Sequence, residues 1–165
     1  MKTLNILLKV NLAAIIIAAF TFGCENVTNP EPINAIDTTK TATITGAAFA
    51  DLDLNEPGNE PAPSGVKVKV ILDSGDFVGN FNPGVKYQKL TYTTTLNASG
   101  KYSFEVPALD EPVSAQIFID SFTEGQVQLD DTEIERTYTA SSTGYAVSIV
   151  AGLTTVAPNI VYVAN

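Results

Sequence analysis

The chain has 165 residues, enough for one domain, with 18 acidic and 9 basic side chains, no histidine and one cysteine. Without histidine it has no Ser-His-Asp or Cys-His nucleophilic site and no histidine-ligated metal, and a single cysteine forms no internal disulfide. A formal net charge of −9 with scattered basic residues argues against a nucleic-acid partner.

Residues 1–23 have the pattern of a secretory signal. Lys2 and Lys9 lie in a short basic stretch, and residues 10–22 are almost wholly apolar. A basic stretch, a short apolar run and a small residue before the cleavage point are typical of a signal peptide. The apolar run is shorter than the about 20 residues that a transmembrane helix needs. We therefore predict that this segment is removed.

The signal ends in Thr21-Phe22-Gly23-Cys24, which resembles the lipobox of bacterial lipoproteins. The resemblance implies cleavage before Cys24, a diacylglycerol thioether on its sulfur and an acyl chain such as palmitate on its new amino group. Several acyl chains anchor a protein far better than one. The protein is then expected at the bacterial cell envelope, on the outer membrane, facing the periplasm or the surface. The alternative is that Cys24 is a buried free cysteine.

Residues 24–39 have the composition of a linker, with prolines, threonines and asparagines and no hydrophobic periodicity. We predict a flexible tether there, followed by one domain over residues 40–165. Fully extended, the tether reaches about 50 Å. The domain would therefore stand just off the membrane surface.

The sequence from residue 40 onward indicates an all-β domain. Threonine, valine, isoleucine, tyrosine and phenylalanine dominate, and turn residues recur about every ten positions. Val66, Val68 and Val70 alternate with Lys67 and Lys69, which predicts a strand with one dry face and one charged face. The predicted strands span residues 41–50, 65–73, 88–96, 101–106, 113–122, 126–129, 133–140, 145–150 and 154–163.

Three of these strands have predicted positions. Residues 113–122 are apolar on both faces at Ile117, Phe118 and Ile119, which favours a central strand. Residues 145–150 and 154–163 are predicted to form a closing hairpin. Pro158 in the last strand indicates an edge position or a bulge.

Segments 44–51, 63–68, 96–107 and 147–156 together resemble the carboxypeptidase regulatory-like and Cna protein B-type domains. The most characteristic piece, 96–107, reads LNASGKYSFEVP. The resemblance implies a prealbumin-like, Ig-like Greek-key β-sandwich of about seven strands. Such domains are mostly non-catalytic spacers, stalk units, adhesin pieces or accessory modules, and this expectation is an analogy because a fold does not determine a function.

The loop after the first predicted strand alternates oxygen-bearing side chains. Asp51, Asp53, Asn55 and Glu60 lie within ten residues. Calcium takes six to eight oxygen ligands, and this spacing brings several into one tight loop. We hypothesise a calcium site there. The alternative is a solvated acidic loop with no cofactor.

Cna-type domains can form an internal Lys–Asn isopeptide bond that a buried carboxylate promotes, so the resemblance also implies candidates for such a bond in this chain. Lys40 on the first strand, Asn159 on the last and Asp120 on a middle strand match the three roles. Asp120 shares a predicted strand face with Phe118 and Phe122, and burial of that face would raise its pKa by desolvation. The alternative is that Asp120 is a strand-end carboxylate in water.

Residues 76–87 form a loop rich in glycine and asparagine that carries Phe77, Phe81 and Tyr87. Aromatic side chains on such a loop can contact a glycan or a protein partner, although they can also fold back over the core. Glu133 and Glu135 are the paired acids that a glycosidase would need, but they share one strand face and no cleft is indicated.

Together these patterns predict a lipid-anchored, extracytoplasmic, non-catalytic module with a structural, adhesive or ligand-binding role. Its expected partners are the membrane, through the acyl chains on Cys24, and an unidentified protein or glycan. The alternative is an accessory subunit of an envelope complex for polymer uptake or secretion. A glycan-binding or hydrolytic domain is the third class.

Overall fold

The computed structural model describes residues 39–79 and 81–165. Within these residues the chain forms twelve strands and one 3₁₀ turn, Ser74–Phe77, and no α-helix. The strands are β1 Thr41–Ala50, β2 Glu60–Pro61, β3 Lys67–Asp73, β4 Lys89–Thr95, β5 Lys101–Pro107, β6 Val113–Ile119, β7 Phe122–Val127, β8 Glu133–Thr139, β9 Tyr145–Ile149, β10 Thr154–Val156, β11 Ile160–Val161 and β12 Val163–Ala164.

The first sheet is built around β1, which is paired along both edges. β5 runs antiparallel along one edge, from Thr41 opposite Pro107 to Ala47 opposite Lys101, and β2 continues that edge. β10 and β11 pair in parallel with the other edge. The buried residues on the inward face of β1 are small or branched: Ala42, Ile44, Ala48 and Ala50.

The second sheet has the strand order β4-β3-β6-β9, and all of its pairs are antiparallel. The alternation predicted for β3 is confirmed, because Val68, Val70 and Leu72 are fully buried while Lys67 is exposed. β6 pairs with β3 on one edge and with β9 on the other. The central position predicted for this apolar segment is therefore also confirmed.

The third sheet has the order β12-β8-β7, in which β7 and β8 form a hairpin. Phe122 and Tyr138 are opposite one another, and their rings stack with centroids 4.9 Å apart. Tyr162 meets Phe122 edge-on at 4.8 Å. Since Tyr138 and Tyr162 belong to the main hydrophobic core, this aromatic group joins the hairpin to the rest of the domain.

One hydrophobic core serves all three sheets. Ile44, Leu72, Ile117, Tyr138 and Ile160 come from five different strands and are all fully buried. The described part of the chain is thus all-β, as its composition predicted, and its several mainly antiparallel sheets are consistent with a β-sandwich.

The predicted closing hairpin is wrong. β9 pairs with β6 of the second sheet, whereas β10 pairs with β1 of the first. The turn at Ala151 and Gly152 therefore carries the chain from one sheet to the other. Both partners are distant in sequence, so local alternation could not reveal them.

The boundaries of two other predicted strands also differ. Asp120 and Ser121 interrupt the predicted strand 113–122, so that β6 ends at Ile119 and β7 begins at Phe122, before the strand predicted at 126–129. Pro158 lies in the gap between β10 and β11, which agrees with the break that a proline imposes on a ladder.

Replacing Gly46 by alanine is expected to destabilise the fold. Tyr102 is opposite Gly46 in the β1–β5 ladder, and a Cβ at Gly46 would lie 2.3 Å from the Tyr102 hydroxyl oxygen. Overpacking of this kind costs about 1–3 kcal/mol, which denaturant unfolding will measure. Gly79→Ala is the matched control, because a Cβ there meets nothing within 4 Å. Equal stability of Gly46→Ala and the natural chain would contradict this account.

Candidate functional site

A stacked aromatic pair lies on the loop between β3 and β4. The ring centroids of Phe81 and Tyr87 are 5.3 Å apart, with 23° between their planes. The Tyr87 hydroxyl accepts a hydrogen bond of 2.9 Å from the Asn82 N–H, and its ring lies against Gly75, where a Cβ would be 2.8 Å from it. The Phe81 side chain is nevertheless 64% exposed. Asn82 and Gly75 hold the Tyr87 ring in place, and the aromatic pair therefore forms an apolar surface that faces solvent.

The third aromatic residue predicted for this loop lies apart from the pair. Phe77 ends the 3₁₀ turn and packs against the hydrophobic core. Asp73 caps that turn by accepting a hydrogen bond from the Gly75 N–H, and its carboxylate is 2.6 Å from the Lys89 Nζ. Lys89, followed by the Gly75 N–H, holds the pKa of Asp73 below its usual value. The structure therefore brings two of the three predicted aromatics together and gives the third a packing role.

The candidate calcium ligands mostly contact their own backbone. The Asp53 carboxylate accepts the Asn55 N–H at 2.9 Å, and the Glu60 carboxylate accepts the Leu52 N–H at 2.7 Å. The Asn55 amide donates to the Gln128 carbonyl and to the Asp131 carboxylate. Over residues 39–79 and 81–165, no three His, Cys, Asp or Glu side chains are grouped so as to hold a metal ion.

Asp51 lies in a polar cluster beside the β7–β8 hairpin. Its backbone carbonyl accepts hydrogen bonds from the Tyr138 hydroxyl at 3.0 Å and from the Gln126 amide at 2.8 Å. Its carboxylate Oδ1 is buried and has no hydrogen-bond partner in the described part of the chain, and the same holds for the Arg136 Nε. Burial, followed by the charge of Asp51, raises the pKa of Tyr138. Sequence reasoning missed this cluster because its members are about 75 to 87 residues apart.

The three isopeptide candidates do not meet. Lys40 forms an ion pair with Asp110, and Asp120 forms one with Lys69 at 2.8 Å. Asn159 follows β10, beside the middle of β1. Since Lys40 precedes the start of β1 by one residue, at about 3.3 Å per residue it lies roughly 20 Å from Asn159 along the strand. The Asp120 side chain is also 43% exposed, so it does not lie in the buried apolar face that was expected.

An open groove of about 540 Å³ lies beside β1 and β5. Thr45, Gly46, Tyr102, Val156 and Asn159 are among its lining residues. Burial raises the pKa of Tyr102 to about 12, and the Tyr102 hydroxyl has no hydrogen-bond partner among the described residues. The groove was not predicted from sequence because it is assembled from segments that are distant along the chain.

The paired acids Glu133 and Glu135 are both exposed on β8. The side chain of Glu133 lies over Gly125, where a Cβ would be within 1.8 Å of its carboxylate. The expectation that the two glutamates share one strand face is confirmed, and that face is exposed. The arrangement offers no converging pair of carboxylates around a cavity.

Cys24, the signal segment and nearly all of the predicted tether lie outside the described residues. The lipid-attachment prediction therefore stays a prediction. In the part of the chain that the structure describes, no helix is long and apolar enough to cross a membrane.

Comparison with known proteins adds one distant structural similarity. No protein-family model matches the sequence, and no curated protein matches it. Among solved structures, the crystal structure of the major plantain pollen allergen Pla l 1 is similar at 12% identity and a TM-score of 0.42. The match covers 76% of this chain and 94% of the allergen.

Four of the six tyrosines have a raised pKa, namely Tyr92, Tyr102, Tyr138 and Tyr162, and we expect Tyr102 and Tyr162 to ionise last in an alkaline titration. Burial raises the pKa of Tyr102 from 10.0 to about 12, and burial followed by the charge of Asp120 raises that of Tyr162 further. A raised pKa in the folded state stabilises the fold fully below the unfolded value of 10.0, and this contribution is lost as the pH rises toward the folded value. The free energy of unfolding should therefore fall above about pH 10. Phenolate absorbance measures the ionisation of the tyrosines, and denaturant unfolding at each pH measures the stability.

The matched variant for this titration is Tyr102→Phe. Because the Tyr102 hydroxyl has no described partner, the variant should fold normally and lose one late-titrating phenol. If all phenols of the folded natural chain ionise in one step near pH 10, the assignment is wrong.

Proposed function

We propose that the chain is a lipid-anchored extracytoplasmic lipoprotein of the bacterial envelope that acts as a non-catalytic structural, adhesive or ligand-binding module. The observation that carries the proposal is the position of its single cysteine, which follows a basic stretch, a short apolar run and Gly23. The all-β domain that begins at Thr41 supports it, because a short linker then separates the domain from Cys24. The outer membrane is the proposed site of anchoring.

We further propose that the domain is a prealbumin-like β-sandwich related to the carboxypeptidase regulatory-like and Cna B-type domains. The four-stranded sheet β4-β3-β6-β9 and the sheet around β1 share one core, which supports this assignment. The motif 96–107 contributes a turn with Gly100 at φ +66° and then β5, with Tyr102 and Phe104 facing inward.

The anchoring proposal is tested by labelling growing cells with a radioactive or clickable fatty acid. The natural chain should incorporate label and have the mass of residues 24–165 plus acyl groups. Cys24→Ser should lose all label, and the result is unambiguous because the chain has no other cysteine. Label retained in Cys24→Ser, or an unlabelled chain that still begins at Met1, would refute the anchor.

The stacked Phe81–Tyr87 pair is the proposed contact with a ligand. Sugar rings present C–H groups that pack on exposed aromatic faces, and Asp76 and Lys86 of the same segment, 76–87, are exposed and can hydrogen-bond hydroxyl groups. Tyr87 is already held by Asn82 and Gly75, so little ordering is needed on binding. A glycan is the ligand class that this surface fits best.

Phe81→Ala is expected to weaken glycan binding about tenfold or more, since the exposed half of the stack is removed. Binding is measured on immobilised envelope and host polysaccharides, followed by calorimetry with the best of them. Val85→Ala is the control, because Val85 is an apolar residue of the same loop that is 50% exposed and outside the stack. Equal losses in both variants would place the ligand elsewhere.

A second candidate is an accessory subunit of an envelope complex. Val156, Val161 and Val163 are all exposed on the three C-terminal strands β10, β11 and β12, where each leaves an apolar side chain available for a protein contact. The membrane preparation used for labelling distinguishes the two functions, because an accessory subunit is recovered with a partner in a fixed ratio.

A further inference from the structure

The outer edge of β4 is an unoccupied strand edge. β4 pairs with β3 over its whole seven-residue length, from Lys89 opposite Asp73 to Thr95 opposite Lys67. No described strand hydrogen-bonds to its other side, where the sheet order β4-β3-β6-β9 ends, and β5 approaches only the Thr94–Thr95 end, across the groove described above. An edge of this kind presents a row of backbone N–H and C=O groups that can pair with another strand.

The hydrogen bonds around β4 identify which residues face outward. The Ser74 N–H donates to the Gln88 carbonyl, and the Leu96 N–H donates to the Val66 carbonyl, both at 2.9 Å. In an antiparallel ladder, alternate residues hydrogen-bond to the same neighbouring strand. The backbone N–H and C=O groups of the even-numbered residues of β4 therefore bond to β3. The backbone N–H and C=O groups of the odd-numbered residues therefore point away from β3, toward the open edge. These residues are Lys89, Thr91, Thr93 and Thr95, and all four are exposed to solvent.

Lys89, at the end of the strand, is the one feature of β4 that protects this edge. The strand contains no proline and no acidic residue, and its register with β3 is continuous, without a bulge. Lys89 is also the one charged residue of the strand. Two of the other edge strands differ: β5 carries Lys101 and Glu105 and ends in Pro107, and β9 is two residues shorter and has its Ser148 carbonyl bonded by the Thr155 hydroxyl.

We propose that β4 pairs antiparallel with β4 of a second copy of this chain, with Tyr92 on the two-fold axis. This register aligns all seven residues and places Lys89 opposite Thr95, Thr91 opposite Thr93 and Tyr92 opposite its own copy. The outward residues of the two strands then exchange about eight backbone hydrogen bonds. The two four-stranded sheets become one sheet of eight strands.

A second copy fits this edge because the strand is complementary to itself. The whole chain carries a net charge of −9, yet β4 has no acid, and the two Lys89 side chains lie at opposite ends of the paired strands. Thr–Thr and aromatic cross-strand pairs stabilise antiparallel neighbours. Two-fold pairing of one patch with itself is also the commonest form of oligomer. The proposal does not depend on lipid attachment at Cys24.

The test is a disulfide cross-link in the full chain, with Cys24→Ser as the background and detergent present. Tyr92→Cys places one thiol opposite its own copy across the axis, at a separation that suits a disulfide. Thr94→Cys is the matched control on the same strand face. Its own copy is four residues away along the ladder, about 13 Å, which is too far for a disulfide. Oxidation should yield a covalent homodimer at least tenfold faster with Cys at position 92.

A second substitution separates pairing from folding. Thr93→Pro removes an N–H that points away from β3, so the β3–β4 ladder keeps its bonds while the partner edge loses a donor at its centre. Added to Tyr92→Cys, it should abolish the cross-link and leave the unfolding temperature nearly unchanged. If Thr93→Pro unfolds the domain, Thr93→Lys replaces it, because a lysine at this position blocks edge pairing without altering the backbone.

Three outcomes overturn the proposal. Equal cross-linking at positions 92 and 94 means random collision rather than a fixed register. A cross-link that persists in folded Thr93→Pro or Thr93→Lys means contact by another surface. If the Tyr92→Cys variant forms its disulfide with a different protein, the edge pairs with a strand of that protein rather than with a second copy.

Discussion

Hydrogen bonding along both edges of β1 is the constraint on which the rest of the fold depends. β5 occupies one edge and the C-terminal strands β10 and β11 occupy the other, so the beginning, middle and end of the described chain meet on one strand. Small inward residues on β1 let the second sheet approach closely. Gly46 makes room within the first sheet itself, since the ring of Tyr102 from the neighbouring strand β5 occupies the space that a side chain would need.

In this arrangement, the exposed loops and strand edges are the parts of the domain that are accessible to a ligand or a partner. The three sheets bury their inward faces in one core, and Lys69 and Asp120 form an ion pair at its half-exposed margin. What remains for recognition is the Phe81–Tyr87 stack on a loop, the groove beside β1 and β5, and the open edge of β4. These features are the ones to which the binding and assembly proposed above are assigned.

Most individual strands were predictable because alternation is a local property. Val68 and Val70 alternate with lysines, and that pattern alone predicts which face of β3 is buried. Pairing was less predictable, because it depends on residues far along the chain. The 145–150 and 154–163 segments have the composition of a hairpin, yet β9 pairs with β6 and β10 pairs with β1.

The amino-acid sequence by itself determined the all-β class, most strand positions and the chemistry that the chain lacks, because these follow from composition and short-range alternation. Only the tertiary structure decided how the candidate residues are used. The Asn55 side chain donates to the Gln128 carbonyl, 73 residues away, and the Asp120 carboxylate accepts from Lys69, 51 residues away. The physical reason is that a side chain's partner is determined by the packing of distant strands, which spacing along the chain does not encode.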